Sequence, residues 1–366
     1  MNNQQNGGSG RRTLPEGVPA TMKAAVMQKT LHVTIEERPV PAPGPGEVLV
    51  KVMAVGVCGS DVHYFEHGRI GPYVVEKPII LGHECAGVVA ACGEGAERFR
   101  PGDRVAIEPG VTCGRCEYCK SGRYNLCPRV QFLATPPVDG AFVQYIVHRE
   151  DFLFPIPDHL SFEEAALNEP FSVGIHALNR AGFRPGQTVA VVGLGPVGLM
   201  AVAAARAFGA SRIIGCDLEA NRLAAAVKLG ATDTVPAGPE AAERIRQMTG
   251  GAGVDAALET AGHPAAVRTA VAALRRGGKL SIVGLPQDPL VSLNVPFLCD
   301  NEIDIHGVFR YANTYPQGIS FLSAGVPGIR ELMTDRYDLE DTQQALHRAM
   351  TNKQGSLKVM VYPNGR

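Results

Sequence analysis

Gly193-Leu194-Gly195-Pro196-Val197-Gly198 follows directly on the apolar run Thr188-Val189-Ala190-Val191-Val192 and opens an Ala-rich stretch that continues to Phe208. No other feature of the chain constrains its fold as much. A G-x-G-x-x-G pattern alone is common, but between a strand and a helix it is the fingerprint of a dinucleotide-binding turn. Glycine there allows a tight turn and a close backbone approach to a pyrophosphate. The helix start supplies unpaired N–H groups and a partial positive charge. The bland alternative is a glycine-rich turn that binds nothing. The flanking pattern repeats the same alternation, with strand-like Arg212–Cys216, helix-like Asn221–Leu229, strand-like Val254–Leu258, helix-like Ala265–Leu274 and strand-like Lys279–Val283. Alternating β and α runs of this kind predict an α/β fold with a doubly wound parallel sheet, a Rossmann domain, over residues 172–310.

Asp217 ends the second strand, 19 residues after Gly198. A carboxylate at that place accepts hydrogen bonds from a ribose 2′-hydroxyl and repels a 2′-phosphate, which favours NAD over NADP. Arg222 complicates the reading, since it can accept that phosphate or pair with Asp217, and Asp217 can also cap the next helix. The expected cofactor contacts are Gly193, Gly195, Pro196, Val197, Gly198, Asp217 and Arg222.

The chain has 366 residues, 45% of them hydrophobic, which suits two domains. From Met22 to about Leu160, short apolar runs such as Val48–Val52, Ala86–Val89 and Arg104–Ile107 are broken by Pro43-Gly44-Pro45-Gly46 and Pro101-Gly102-Asp103. That texture predicts a β-rich domain over 22–171, which the tail from 311 to 366, read as a helix, a strand and turns, is expected to rejoin. Residues 1–21 begin with a polar Asn/Gly-rich stretch and are expected to be disordered. They lack the apolar core of a secretory signal, and no run reaches the roughly 18 apolar residues of a membrane span. A formal net charge of −1 without basic blocks speaks against nucleic acid and anionic membranes as partners. The expected location is the cytoplasm.

Four of the nine cysteines fall between Cys113 and Cys127, spaced C-x2-C-x2-C-x7-C through Cys116 and Cys119. Without a signal sequence, such a cluster reads as metal ligands rather than disulfides. Four thiolates close a tetrahedron around Zn2+ and leave no open position, which makes the role structural. An iron–sulfur cluster fits the same spacing. A nucleic-acid-binding zinc ribbon would need a basic face, whereas Arg115, Lys120, Arg123 and Arg129 are mixed with Glu108 and Glu117. A second set is dispersed: Cys58 in Cys58-Gly59-Ser60-Asp61-Val62-His63, His83 and Glu84 in Gly82-His83-Glu84, and Glu169 in Asn168-Glu169-Pro170. Thiolate, imidazole and carboxylate suit zinc, and three protein ligands leave a position for water or substrate. Taken singly, each has a plain structural explanation. Together they supply the partner that a hydride-accepting cofactor needs in order to ionise an alcohol.

Several motifs resemble the zinc-containing medium-chain dehydrogenases, and within them the sorbitol/xylitol/L-arabinitol dehydrogenase group. They are Val57–Tyr64, Gly82-His83-Glu84, the four-cysteine lobe, Ala134–Gly140, Glu169–Gly174, the glycine turn and Val308–Pro316. The likeness runs from about Met22 to Tyr362. It implies a GroES-like catalytic domain beside the Rossmann domain, with one catalytic and one structural zinc. It implies Cys58, His83 and Glu84 as catalytic zinc ligands, with Glu169 as an alternating or shared ligand. The proton would leave through Ser60, with His63 and the cofactor ribose. Asp61 would orient His83. Tyr64, Phe132, Arg310 and Tyr311 would contact a polyol. The resemblance also implies a homotetramer, paired near Val291–Phe297. The resulting expectation is a polyol dehydrogenase that reduces NAD. A threonine or simple secondary-alcohol dehydrogenase of the same fold is the competing reading.

Overall fold

The computed structural model describes residues 17–285, 290–351 and 354–366. Most of the tail expected to be disordered, residues 1–16, therefore lies outside the described residues. Thr21 is already paired with Pro39 at the start of the strand Thr21–Lys29, one residue before the first expected strand.

The N-terminal half builds a seven-stranded sheet. Its path runs Leu153–Pro155, Arg104–Ile107, Glu84–Cys92, Glu47–Gly56, Lys358–Tyr362, Met333–Asp338, and Tyr145–Arg149 also pairs with Glu47–Gly56. Glu47–Gly56 is buried along nearly all its length because Val48, Leu49, Val50, Val52, Ala54 and Val55 fill both faces. A smaller sheet of Thr21–Lys29, His32–Pro39 and Ile79–Ile80 closes the domain around Phe65, Leu81 and Phe142.

The C-terminal tail contributes two strands to this sheet rather than the one expected. The missed strand, Met333–Asp338, reads Met-Thr-Asp-Arg-Tyr-Asp and lies at the sheet edge with alternate residues exposed. One buried face on so short a polar strand leaves almost no apolar signal in the sequence.

Residues 188–307 form the expected parallel sheet. Its order is Asp233–Pro236, Arg212–Asp217, Thr188–Val192, Val254–Glu259, Leu274–Ile282, Asp304–Gly307. Numbered along the chain this is 3-2-1-4-5-6, the doubly wound order. The chain reverses direction across the sheet between Thr188–Val192 and Val254–Glu259, and the glycine turn lies at that crevice. The strand at Leu274–Ile282 begins five residues before the expected Lys279 because Leu274 pairs with Val254 ahead of a bulge.

Two helices join the halves. Asn168–Arg180 packs along Pro196–Ala207, so closely that a Cβ on Gly174 would lie 2.8 Å from Ala201 Cα. The helix carrying Glu169 is thereby fixed against the helix that opens at the cofactor turn.

Candidate active site

The glycine turn shows two different uses of glycine. A Cβ on Gly198 would fall on Gly193 O and lie 2.7 Å from Thr260 Oγ1, so this glycine is required by packing alone. A Cβ on Gly195 would meet nothing within 4 Å. Protein packing does not explain Gly195, whereas a ligand seated on the N-terminus of Pro196–Ala207 does. Pro196 and Val197 are the first two residues of that helix and are half-buried. Asp217 is buried, and its Oδ2 accepts the Leu194 N–H at 2.6 Å while Oδ1 accepts that of Glu219 at 2.9 Å. Arg222 Nη1 lies 3.8 Å from Asp217 Oδ2. The carboxylate therefore pins the turn to the second strand.

Cys58, His83 and Glu84 converge, their ligand atoms all within 4.8 Å of one another. Three chain features bring them there. Cys58 is the N-cap of the helix Gly59–His67, His83 follows a left-handed glycine, Gly82, with φ 86°, and Glu84 begins the strand Glu84–Cys92. Asp61 is fully buried between them. It accepts the N–H groups of Cys58 and Gly82, each at 2.9 Å, and lies 3.6 Å from His83 Nδ1. That contact orients the imidazole and leaves Nε2 for the metal. The donor set and its spacing fit a zinc ion with an open position.

Glu169 stands outside this triangle. Its Oε1 accepts a hydrogen bond from Tyr311 Oη at 2.9 Å, and burial, with Glu84 adding to it, pushes its carboxyl up to about 7 against the pull of His83. Tyr311 is buried and its hydroxyl is committed to that carboxylate, which places it behind Glu169 rather than facing an open position.

One participant was not legible in the sequence. Lys358 is buried, donates from Nζ to Val57 O at 2.9 Å and forms an ion pair with Glu84. It heads an apolar strand, and nothing in that local pattern indicates a carboxylate partner some 270 positions away. Gly56 leaves room for the pair, since a Cβ there would collide with both side chains.

Around the triangle, the Phe132 ring lies 5.5 Å from that of His83, and the Arg310 guanidinium stacks 3.9 Å over Phe132. Arg310 Nη1 is buried and has no hydrogen-bond partner among the described residues. Tyr64 is buried on the same helix as Ser60 and His63, and burial pushes its phenol up to about 12 against the pull of Arg310. Ser60 and His63 are half-buried, the His63 ring 5.5 Å from that of His67.

The four-cysteine set also comes together, with Sγ separations of 3.4 Å for Cys116–Cys119 and 3.9 Å for Cys113–Cys119. A tetrahedron of thiolates at about 2.3 Å from zinc has sulfur–sulfur edges of about 3.8 Å, so the lobe is already shaped for the ion. Backbone N–H groups, first that of Arg115, hold the Cys113 thiol down at about 5 although burial works the other way.

Comparison with known proteins bears on the family and the fold. Residues 44–158 match the alcohol dehydrogenase GroES-like domain, and residues 196–324 match the zinc-binding dehydrogenase domain. Sorbitol dehydrogenase of Bacillus subtilis (strain 168) is 64% identical over 348 residues, 95% of this chain and 99% of that protein. The Mus musculus sorbitol dehydrogenase is 44% identical over 332 residues, 90% of this chain and 92% of that one. An Escherichia coli oxidoreductase of unknown specificity superposes with a TM-score of 0.89 at 40% identity, over 93% of this chain and 99% of its own.

Proposed function

The chain belongs to the zinc-binding dehydrogenases with a GroES-like domain, and from that premise we propose that it is a polyol dehydrogenase. It oxidises a secondary hydroxyl of a sugar alcohol such as sorbitol, xylitol or L-arabinitol to the ketose, with NAD as hydride acceptor. The observation that carries this reading is Arg310. A buried guanidinium with an unpartnered Nη1 stands on Phe132, next to His83 of the metal triangle. A simple alcohol has no distal group to satisfy that donor, whereas a polyol has several hydroxyls; threonine would offer a carboxylate, and against it stands the similarity to sorbitol dehydrogenases.

Cys58, His83 and Glu84 hold the catalytic zinc, and Cys113, Cys116, Cys119 and Cys127 hold the structural one. Bound zinc supplies a Lewis acid that lowers the pKa of a substrate hydroxyl. Asp61 fixes the His83 ring. Glu169, held by Tyr311, is a second carboxylate near enough to feel the charges of His83 and Glu84. Ser60 and His63, half-buried on one helix, carry the hydroxyl proton to solvent. Phe132 packs the carbon chain, and Tyr64 and Arg310 bind distal hydroxyls. Gly195 and the helix start at Pro196 bind the NAD pyrophosphate, while Asp217 accepts from the adenosine ribose.

The catalytic domain comprises residues 22–171 and 311–366, and the cofactor domain residues 172–310. The strand Lys358–Tyr362, lying beside Glu47–Gly56, supports this division. The protein works as a homotetramer in the cytoplasm. Exposed Val295 and Ile305 near the outer strand of the parallel sheet support a subunit contact there, and no helix among the described residues is long and apolar enough to cross a membrane.

The test is initial rates of cofactor reduction with C4 to C6 polyols, propan-2-ol and threonine, each with NAD and NADP. Turnover of polyols with NAD well above the other pairs is the expected result. No polyol turnover by protein shown to hold zinc would refute the reading.

A further inference from the structure

The loop that carries Arg310 belongs to no helix and no strand. Residues 308–314 run between the strand Asp304–Gly307 and the helix Tyr315–Ala324 without a ladder of their own. Two of them, Arg310 at φ 53° and Asn313 at φ 60°, adopt left-handed backbone that non-glycine residues rarely occupy. Such a conformation persists only where surrounding contacts over-determine it.

Those contacts come from the four-cysteine lobe. Asn125 Nδ2 donates to Phe309 O at 2.8 Å. Asn313 donates its N–H to Tyr124 Oη at 2.8 Å and its Nδ2 to Gly122 O at 2.7 Å. Tyr124 Oη in turn donates to the buried Glu108 at 2.8 Å, which fixes the hydroxyl's direction. Gly122, Tyr124 and Asn125 all lie between Cys119 and Cys127, the last two in a single 3-10 turn. Three hydrogen bonds thus bracket Arg310 on both sides, and all three depend on the backbone path between two cysteines of one set.

We propose that the four-cysteine lobe positions the substrate loop, with Tyr124, Asn125 and Asn313 as positioning residues that set the aim of Arg310. The lobe places no atom on the substrate, yet it tunes affinity for molecules with distal hydroxyls. This inference rests on the polyol reading of Arg310 given above. It assigns the lobe a part in specificity beyond holding its own fold together.

The experiment uses the zinc-loaded full chain carrying Asn125→Leu, Asn313→Gly or both. Leucine keeps the branched outline of Asn125, at a somewhat larger volume, without the donor. Glycine at 313 keeps the left-handed backbone and removes the bond to Gly122. The expected result for the double variant is a Michaelis constant for sorbitol raised by about tenfold, the effect of losing one or two hydrogen bonds. The constant for NAD and the turnover of propan-2-ol should stay within twofold of the unaltered protein. Amide exchange of the peptide spanning 308–314 should speed up at the same time. Unchanged exchange in that peptide would overturn the coupling whatever the activity. An equal loss on propan-2-ol and sorbitol would also overturn it, because the damage would then lie at the metal triangle. If Asn125→Leu does not fold, Asn313→Gly, at an exposed position, decides the question alone. Absence of any polyol turnover in the unaltered protein would instead remove the polyol reading, and the exchange measurement would still judge the link between lobe and loop.

Discussion

Replacing Asp217 by asparagine should shift the choice between NAD and NADP by about two orders of magnitude. Asp217 stands at the end of its strand, 7% exposed, with Arg222 Nη1 3.8 Å from its Oδ2. A 2′-phosphate entering beside it would bring a like charge to within roughly 5 Å. At an effective dielectric of about 20, one such pair costs about 3 kcal/mol. At 1.4 kcal/mol per decade, that is roughly a hundredfold in relative kcat/KM. The substitution removes this repulsion and at once releases Arg222 to pair with the phosphate. Asparagine keeps one acceptor oxygen for the Leu194 N–H, so the turn retains its tie at 2.6 Å to the second strand. The Glu219 N–H, now facing an amide nitrogen, loses its partner, and a modest drop in melting temperature should accompany the change. The assay is kcat/KM for each cofactor at saturating sorbitol, with melting temperatures recorded with and without cofactor. If the NAD-to-NADP ratio moves by less than threefold while the melting temperature falls, Asp217 serves only to pin the turn and the charge argument is wrong.

Two further outcomes can be checked on stability. Glu108 is pushed up to about 8 by burial, with Glu169 adding to it against the Tyr124 hydrogen bond. The native state therefore keeps its proton up to about pH 8, while the unfolded chain has already released it, and stability falls as pH rises through that range. Neighbouring His148, pushed down to about 4 by burial, titrates only below its ordinary 6.5, whereas Glu169, up to about 7, adds a slope of the same sign above it. Between pH 6.5 and 8 the Glu108 contribution amounts to about 2 kcal/mol, and Glu108→Gln should reduce the fall in melting temperature across that window without abolishing it. A slope unchanged by the substitution would assign the pH dependence elsewhere. Gly195→Ala and Gly198→Ala should separate cofactor binding from packing. The first should leave the melting temperature without cofactor unchanged and weaken NAD binding, because only a ligand meets the added methyl. The second should destabilise the protein itself by about 1–3 kcal/mol, since its methyl falls on Gly193 O. Equal behaviour of the two would contradict the distinction.

The features legible in the sequence were those whose partners lie within a few residues. The glycine turn, Asp217 at the next strand end and the cysteine lobe each depend on one strand end, one helix start or one short loop. Spacing alone conveys such geometry, because the local backbone leaves few ways to arrange it. The parallel sheet was legible for a related reason, since strands buried on both faces are continuous apolar runs. The edge strand Met333–Asp338 was not, because its composition is polar. The dispersed triangle was different again. Cys58, His83 and Glu84 were grouped by chemistry and resemblance, and only the folded chain puts their ligand atoms within 4.8 Å. Lys358 against Glu84, Tyr311 behind Glu169 and Asn125 beneath Phe309 were beyond reach. They join residues 274, 142 and 184 positions apart. At such separations the chain itself conveys nothing about which side chains meet. Sheet order and helix packing decide it, because they fix where each strand and loop end comes to rest. Sequence by itself thus determined the cofactor class and the metal chemistry available, and the tertiary structure alone decided which carboxylate, which lysine and which loop stand together around the site.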